Sequence, residues 1–279
     1  MSRTVTLLSP GAMGSAVAAR LTASGATVLT SLDGRGSASR ERAAAAGMID
    51  APIERLAEAE LILSIVPPAE AEAVARRFLP HLSSRHTFID LNALSPASKR
   101  GLGELVTGTG AGFVDGCIIG LPPRGQPAAT KFYVSGDTAQ ALALRELGLD
   151  MRVVEGPVGA AAALKMCYAG INKGLTGLGA AMLLAASRSG AAPALRAEME
   201  ESQVDTLGRY RRQIPDMYAK AYRWVAEMRE IAAFLGEDEA AAMIFEGMAR
   251  LYERMAADVA GEGRERAMLD AFLGGGDRT

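Results

Sequence analysis

A doubly wound α/β sheet followed by an all-α domain is the architecture that this 279-residue sequence predicts. Three observations carry the expectation. Short apolar runs alternate with helical patterns from Thr4 to about Val154, the first run leads into a glycine-bearing turn and a helix, and strand signals stop after Gly156. Alternation of this kind gives a parallel sheet with helices on both faces. The chain is therefore expected to divide near Gly156, into residues 1–156 and 157–279.

Residues 4–8 form a β-type run, and residues 12–23 carry helical spacing that stops at Gly25. Strands are expected next at 28–32, 61–66, 87–91 and 112–119, with helical patterns such as 41–46 and 69–78 between them. Later strands at 131–135 and 151–154 flank a helix over 138–147. An Ala/Gly-rich helix over 160–186 opens the second half and suits close helix packing. Further on, Tyr218, Tyr222, Val225 and Met228 read as one helical stripe, and Trp224 as core or interface. The tail from Gly274 to Asp277 is expected to fray.

Composition narrows the function. A net charge of −2, a pI near 5.9 and no basic run interleaved with aromatics exclude a nucleic-acid groove or an acidic-membrane patch, leaving small molecules as partners. Two cysteines, Cys117 and Cys167, are too few for a disulfide framework or a zinc site. The start of the chain has no signal-peptide pattern, and the apolar stretch around residues 160–186 is interrupted by Lys165, Asn172, Lys173 and several glycines. A cytoplasmic protein with free thiols is expected.

The turn after the first strand reads Ser9-Pro10-Gly11-Ala12-Met13-Gly14. A dinucleotide-binding turn of Rossmann type has glycine at all three of positions 9, 11 and 14: for the tight turn, for close approach of the pyrophosphate and for packing helix on strand. Ser9 departs from that pattern and is tolerated if its φ stays negative. The helix N-terminus still offers N–H groups to a phosphate. The second strand ends in Ser31-Leu32-Asp33-Gly34-Arg35-Gly36-Ser37-Ala38-Ser39-Arg40, which carries two signals. Asp33 fits the ribose hydroxyls of NAD, whereas Arg35, Ser37 and Arg40 form a cluster of phosphate donors, and the balance favours NADP with NAD possible. A solvated loop with a helix cap at Ser37 or Ser39 is the plainer alternative.

Lys165, on a helix of small apolar residues, has little to pair with, so it either snorkels to water or is held there to move a proton. His81 and His86, the only histidines, both precede the strand ending at Asp90 and are expected to be solvated turn residues. Without clustered metal ligands or a Tyr-x-x-x-Lys pair, Lys165 is the leading general acid/base.

Together these residues resemble the β-hydroxyacid dehydrogenase superfamily, which includes 3-hydroxyisobutyrate and 6-phosphogluconate dehydrogenases, and within it the phosphogluconate-dehydrogenase-like branch with its own C-terminal domain. The matching elements are Ser9-x-Gly11-x-Met13-Gly14, Val66-Pro67-Pro68, Asp90-Leu91-Asn92-Ala93-Leu94-Ser95-Pro96, Asp115-Gly116-Cys117-Ile118-Ile119-Gly120, and Gly156-x-x-Gly159 with Lys165. The resemblance implies an NAD(P)-dependent oxidoreductase with Lys165 catalytic. It also implies that Asn92, Ser95 and the Val66–Pro68 turn hold the nicotinamide side, that the substrate loop is Ile119-Gly120-Leu121, and that a homodimer forms through the helical domain.

Two departures bear on the substrate. The family's Ser-Gly-Gly loop is Ile119-Gly120-Leu121 here, and the asparagine four residues after the lysine is Ala169. Asn172 shares the helical face of Lys165 but lies roughly 10 Å along it, so it either grips a distant part of a larger substrate or makes a helix–helix bond. Tyr168 lines the pocket or fills core, and Arg124 clamps an anion or sits in an exposed turn. The expected substrate is bulkier than a simple 3-hydroxyacid, with imine reduction or non-catalytic NADP sensing as alternatives.

Overall fold

The computed structural model describes residues 3–123 and 130–274; Arg124 and the tail beyond Gly274 lie outside these residues. The chain forms two compact units, Met1–Lys165 and Met166–Thr279.

The first unit is built on strands β1 (Thr4–Leu8), β2 (Thr27–Thr30), β3 (Ile49–Asp50), β4 (Leu61–Ser64), β5 (Thr87–Asp90), β6 (Gly112–Ile119), β7 (Lys131–Gly136) and β8 (Asp150–Val153). They lie in the order β3-β2-β1-β4-β5-β6-β7-β8, so the winding reverses between β1 and β4, where such sheets open a crevice. Helices α1 (Ala12–Ala23), α2 (Ser37–Ala45), α3 (Ile53–Leu56), α4 (Ala71–Phe78), α5 (Pro96–Thr107) and α6 (Ala139–Leu142) cover it. On one face Val17 and Leu21 pack with Val5, Leu7 and Val28; on the other Leu56, Phe78, Leu102 and Val106 pack with Ile62, Phe88 and Phe113. Burial on both faces is why these strands read as unbroken apolar runs.

The sheet is parallel as expected but for one pair: β7 runs antiparallel to β6, while the other neighbouring pairs are parallel. Consecutive strands β6 and β7 are direct neighbours, joined as an antiparallel pair with Ile119 opposite Lys131. The helix expected over 138–147 is only α6 followed by a 3₁₀ turn at Ala143–Arg145. His86 is also corrected: it is buried, its Nδ1 accepts from the Ser83 amide at 2.9 Å, and its Nε2 bonds the Ala57 carbonyl at 2.8 Å. An accepting Nδ1 fixes the proton on Nε2.

Ser9 corrects a further expectation, for its φ is +82°, in the left-handed region. The turn that a first glycine makes is made here by serine, which costs about 1–2 kcal/mol of steric strain. Gly14 shows why the turn is nonetheless kept tight: a Cβ there would lie 2.3 Å from the Ser9 carbonyl oxygen.

The second unit holds most of α7 (Ala160–Arg188), which begins in the first unit, and then α8 (Ala192–Ser202), α9 (Val204–Tyr218), α10 (Ala221–Phe234), α11 (Glu239–Ala260) and α12 (Arg264–Leu273). Its core centres on Tyr252, wholly buried and edge-on to Trp224 at 5.2 Å between centroids. The glycines of α7 let its neighbours come close, since a Cβ on Gly177 would lie 2.6 Å from Met248 Sδ and one on Gly179 2.5 Å from the Tyr210 ring. The stripe expected from Tyr218 to Met228 is not one face. Tyr218 ends α9, the chain turns at Lys220, Tyr222 is 67% exposed in α10 and Met228 is buried. Among the described residues, no helix is long and apolar enough to cross a membrane.

Where α7 starts, it is tied to the sheet by one carboxylate. Asp115 Oδ2, in mid-β6, accepts from the amides of Gly159 at 2.9 Å and Ala162 at 3.1 Å and from Ser135 Oγ at 2.9 Å. Its Oδ1 lies 3.5 Å from Lys99 Nζ, and both side chains are inaccessible to solvent. Asp115→Ala should therefore cost on the order of 3–5 kcal/mol by leaving buried charge and amides uncompensated, read as a lower urea midpoint; equal midpoints would contradict this role. Ser9→Gly should do the opposite and raise the thermal midpoint, with a gain of about 0.5–1 kcal/mol once glycine's chain entropy is set against the relieved strain.

Candidate active site

Gly11 is the N-cap of α1, with extended φ and ψ of −67° and −179° and no side-chain cap, so the first amides of the helix, from Ala12, Met13 and Gly14, lack intrahelical acceptors. A Cβ built on Gly11 meets nothing within 4 Å, which leaves open space beside those amides. Positive helix-end potential, free N–H groups and room for close approach suit a pyrophosphate. Arg42 of α2 braces the turn, donating from Nε to the Pro10 carbonyl at 2.9 Å and from Nη2 to Ser39 Oγ at 2.9 Å.

Beside the turn lies a cleft lined by Leu8, Ser9, Ser31, Asp33, Arg35, Val66, Arg77 and Phe78, among others. It brings together the end of β1, the end of β2 and the turn after β4, as the dinucleotide reading requires. Ser37 is the first residue of α2, whose N-cap is Gly36 without a side-chain bond, so neither Ser37 nor Ser39 caps this helix. Arg40 is used inside the loop, donating to the Leu32 carbonyl at 2.8 Å and the Arg35 carbonyl at 3.2 Å. Arg77, absent from the sequence reading, enters from α4, with Nη2 3.9 Å from Asp33 Oδ2. An exposed arginine on an amphipathic helix gives no signal in sequence; only the packing of α4 beside β2 identifies it.

After β4, Val66 is buried, Pro67 is exposed and Pro68 opens a 3₁₀ turn. Asn92 fixes this turn. Its Oδ1 accepts from the Val66 amide at 2.6 Å, and its Nδ2 donates to Ser64 Oγ at 2.8 Å and Asp90 Oδ2 at 2.7 Å. Ser95 caps α5, its Oγ accepting from the Ser98 amide at 3.2 Å. Beneath them lies a cluster that sequence reading passed over: Lys99 Nζ donates to an Asp90 carboxylate oxygen, to the Asp90 carbonyl at 2.7 Å and to the Gly116 carbonyl at 2.8 Å. Its signal was available, because Lys99 falls on the same face of α5 as Pro96, Leu102 and Val106, all buried, and two aspartates in apolar strands need a cation.

Lys165 belongs to the first unit. Its Nζ donates to the Ile118 carbonyl at 2.8 Å, and burial pulls its pKa below the ordinary lysine value, opposed only by the neighbouring Cys117. Desolvation pushes the Cys117 thiol the other way, up to about 11. The strand that carries Cys117 and Ile118 ends in Ile119, followed by Gly120 at φ +122°, where a side chain would be strained, and Leu121, 83% exposed. Thr130 Oγ1 donates to the Leu121 carbonyl and holds this end of the loop.

In the second unit, Tyr168 is half exposed. Asn172 Oδ1 accepts from Arg209 Nη2 at 2.8 Å, a bond between helices of the kind weighed from sequence, and its Nδ2 donates within α7 to the Tyr168 carbonyl at 2.9 Å. Arg209 also donates to Gln213 Oε1, which receives Thr176 Oγ1, and Asn172, Arg209 and Gln213 line an open groove with Val204, Asp205 and Arg212.

Comparison with known proteins places the chain in a family. The family profile described as the NAD binding domain of 6-phosphogluconate dehydrogenase matches residues 4–148, and a domain of unknown function, DUF1932, matches residues 186–255. No curated protein matches. Among solved structures, the conserved protein MTH1747, of unknown function and described as structurally similar to 3-hydroxyacid dehydrogenases, is 26% identical with a TM-score of 0.79, covering 95% of this chain and 99% of its own. The 3-hydroxyisobutyrate dehydrogenase of Mycobacterium tuberculosis shares the fold at 20% identity and a TM-score of 0.73, covering 97% and 99% of the two chains. An imine reductase from Myxococcus stipitatus, in complex with NADP+, shares it at 21% identity and a TM-score of 0.59, covering 97% and 99%. With more than half of its length matched by the cofactor-domain profile, the chain belongs to the 6-phosphogluconate dehydrogenase NAD-binding family, within the β-hydroxyacid dehydrogenase superfamily of NAD(P)-binding dehydrogenases and reductases.

Proposed function

We propose that this protein interconverts a hydroxy and a keto compound, with Lys165 as the general acid/base. The observation that carries the reading is the state of that lysine: partly buried, bonded to a backbone carbonyl, without a carboxylate partner among the described residues, and held below its ordinary pKa by desolvation. A salt-bridged ammonium would be a poor proton carrier; this one, held below its ordinary pKa, gives up its proton more readily. In oxidation the neutral amine accepts the hydroxyl proton, and in reduction the ammonium returns it to the carbonyl oxygen. The Ile118 carbonyl orients the amine, and the Asp115 contacts at the start of α7 fix the helix that presents it. The nicotinamide, when bound, supplies or takes up the hydride. Gly11, Ala12, Met13, Gly14, Val66 and the Asn92-braced turn would hold the dinucleotide, and Ser31 and Arg35 its adenosine end, with NADP preferred because Arg35 lines the cleft.

The substrate is assigned to a bulkier class than simple 3-hydroxyacids. Ile119 and Leu121 replace polar partners of a carboxylate by apolar walls, Ala169 replaces an amide by a methyl, and the exposed Leu121 offers apolar surface for a ligand to cover. Ser95 is proposed to complete its surroundings.

The protein is further proposed to be a homodimer. Tyr168, Ile171, Leu175, Leu178 and Met182 on α7 are 37–61% exposed and follow a three-four spacing, the pattern of a helix seam that packs against another helix. Light scattering should report about twice the 29.1 kDa chain mass, and a monomer at micromolar concentration would reject the seam as an interface.

Turnover of aryl or branched hydroxy and keto compounds, against 3-hydroxyisobutyrate, 3-hydroxypropionate and 6-phosphogluconate, tests the substrate assignment. Small acids oxidised well with larger compounds inert would overturn it, and turnover of cyclic imines alone would point to imine reduction. Lys165→Met should lower turnover by about 10² or more with cofactor affinity and thermal midpoint nearly unchanged, since methionine is a good helix former. The pH dependence has a definite sign: the oxidation rate rises as pH climbs through the lowered pKa of Lys165, and the reduction rate falls over the same interval. Profiles unaltered in the residual activity of Lys165→Met would move the proton to another group.

A further inference from the structure

Arginines are abundant around the end of β2, but the fold assigns them different work. Arg40 is held by the Leu32 and Arg35 carbonyls, and Arg42 by the Pro10 carbonyl and Ser39, so both guanidinium groups brace backbone. Two others line the cleft itself: Arg35 from the loop and Arg77 from α4. Arg76, next to Arg77, is paired with Glu72 one turn earlier at 2.8 Å, so Arg77 alone of the two serves the cleft.

Asp33 shares that cleft, and a carboxylate there favours ribose hydroxyls and repels a 2′-phosphate. Arg77 Nη2 stands 3.9 Å from Asp33 Oδ2, with side chains 64% and 79% exposed. A pair so open to water is weak by itself, and its arginine is easily redirected to a stronger acceptor. A phosphate dianion is such an acceptor, offering a guanidinium two parallel charge-assisted bonds.

Resting on the NADP-preferring reading above, we propose that Arg77 is a cofactor-specificity residue: with Arg35 it clamps the 2′-phosphate from the side opposite the β2 loop, and beside Asp33 it offsets the repulsion that this carboxylate exerts on a second anion. Arg40, the phosphate donor expected from sequence, acts instead by holding the loop that carries Arg35.

The experiment is a calorimetric titration of the full chain and of Arg77→Ala, Arg77→Lys and Arg35→Ala with adenosine 2′,5′-bisphosphate and adenosine 5′-monophosphate, repeated with NADPH and NADH. Arg77 is an exposed helical residue and alanine favours helix, so the variant keeps its fold. The expected result is bisphosphate and NADPH binding weakened roughly tenfold or more in Arg77→Ala, as for loss of a charge-assisted bond. Monophosphate and NADH binding should stay within about twofold, and Arg77→Lys should recover only part of the loss. Equal losses for both ligand pairs, or none, would overturn the assignment. A parent that favours bisphosphate and NADPH, with Arg35→Ala selective and Arg77→Ala neutral, would overturn Arg77 alone. A parent that favours NADH would overturn the NADP reading and this inference with it.

Discussion

The carboxylate of Asp115 is the constraint on which the rest of the first unit depends. Its two oxygens meet a lysine ammonium, a serine hydroxyl and two amides at the start of α7, in a place with no access to solvent. The positive end of a helix and a buried cation both favour the ionised acid, and the acid in turn satisfies donors that would otherwise be orphaned. Asp90 closes the same cluster from β5 through Lys99, and Asn92 carries the network on to the turn at Val66. A single polar core thus sets both the turn at Val66, which lines the cleft, and the helix start that precedes Lys165.

Much of this was legible in sequence, for reasons that differ between elements. The strands were readable because burial on both faces removes polar residues, and β6 is bounded as its apolar run is. The glycine turn was readable because Gly11 and Gly14 serve steric needs that no other residue meets, whereas Ser9 was misjudged because the backbone can impose a left-handed conformation on a residue that resists it. The direction of β7 is a matter of how strands pair in space rather than of composition, and no periodicity records it. The break at Lys220 escaped notice because the residues on either side keep a three-to-four spacing while belonging to different helices.

The candidate site was legible only where chemistry is scarce. Lys165 stands out in a helix of alanine and glycine, and its isolation in sequence matches its isolation in space from any carboxylate among the described residues. Arginine is plentiful, so its location in sequence says little: Arg35, Arg40, Arg42 and Arg77 are chemically alike, and only geometry separates the two that line a cleft from the two that brace a loop. The small residues of α7 were similarly ambiguous between packing within the chain and packing against a second one. Gly177 and Gly179 answer to the first, while the larger side chains from Tyr168 to Met182 remain on a separate, uncovered face.

The strand β6 joins two regimes of tolerance within one element. Its inner part, around Asp115, Gly116 and Cys117, is interlocked with Lys99, Ser135 and the first amides of α7, so a change there must be matched at several places at once. Its outer end contributes to Lys165 only a backbone oxygen, that of Ile118, which any amino acid would provide. The side chains of Ile119 and Leu121 can therefore change one at a time without disturbing the interlocked part, while Gly120 between them is held to glycine by its φ of +122°. Under the proposed function, a scaffold arranged in this way lets its range of substrates diversify by single steps while the lysine keeps its orientation.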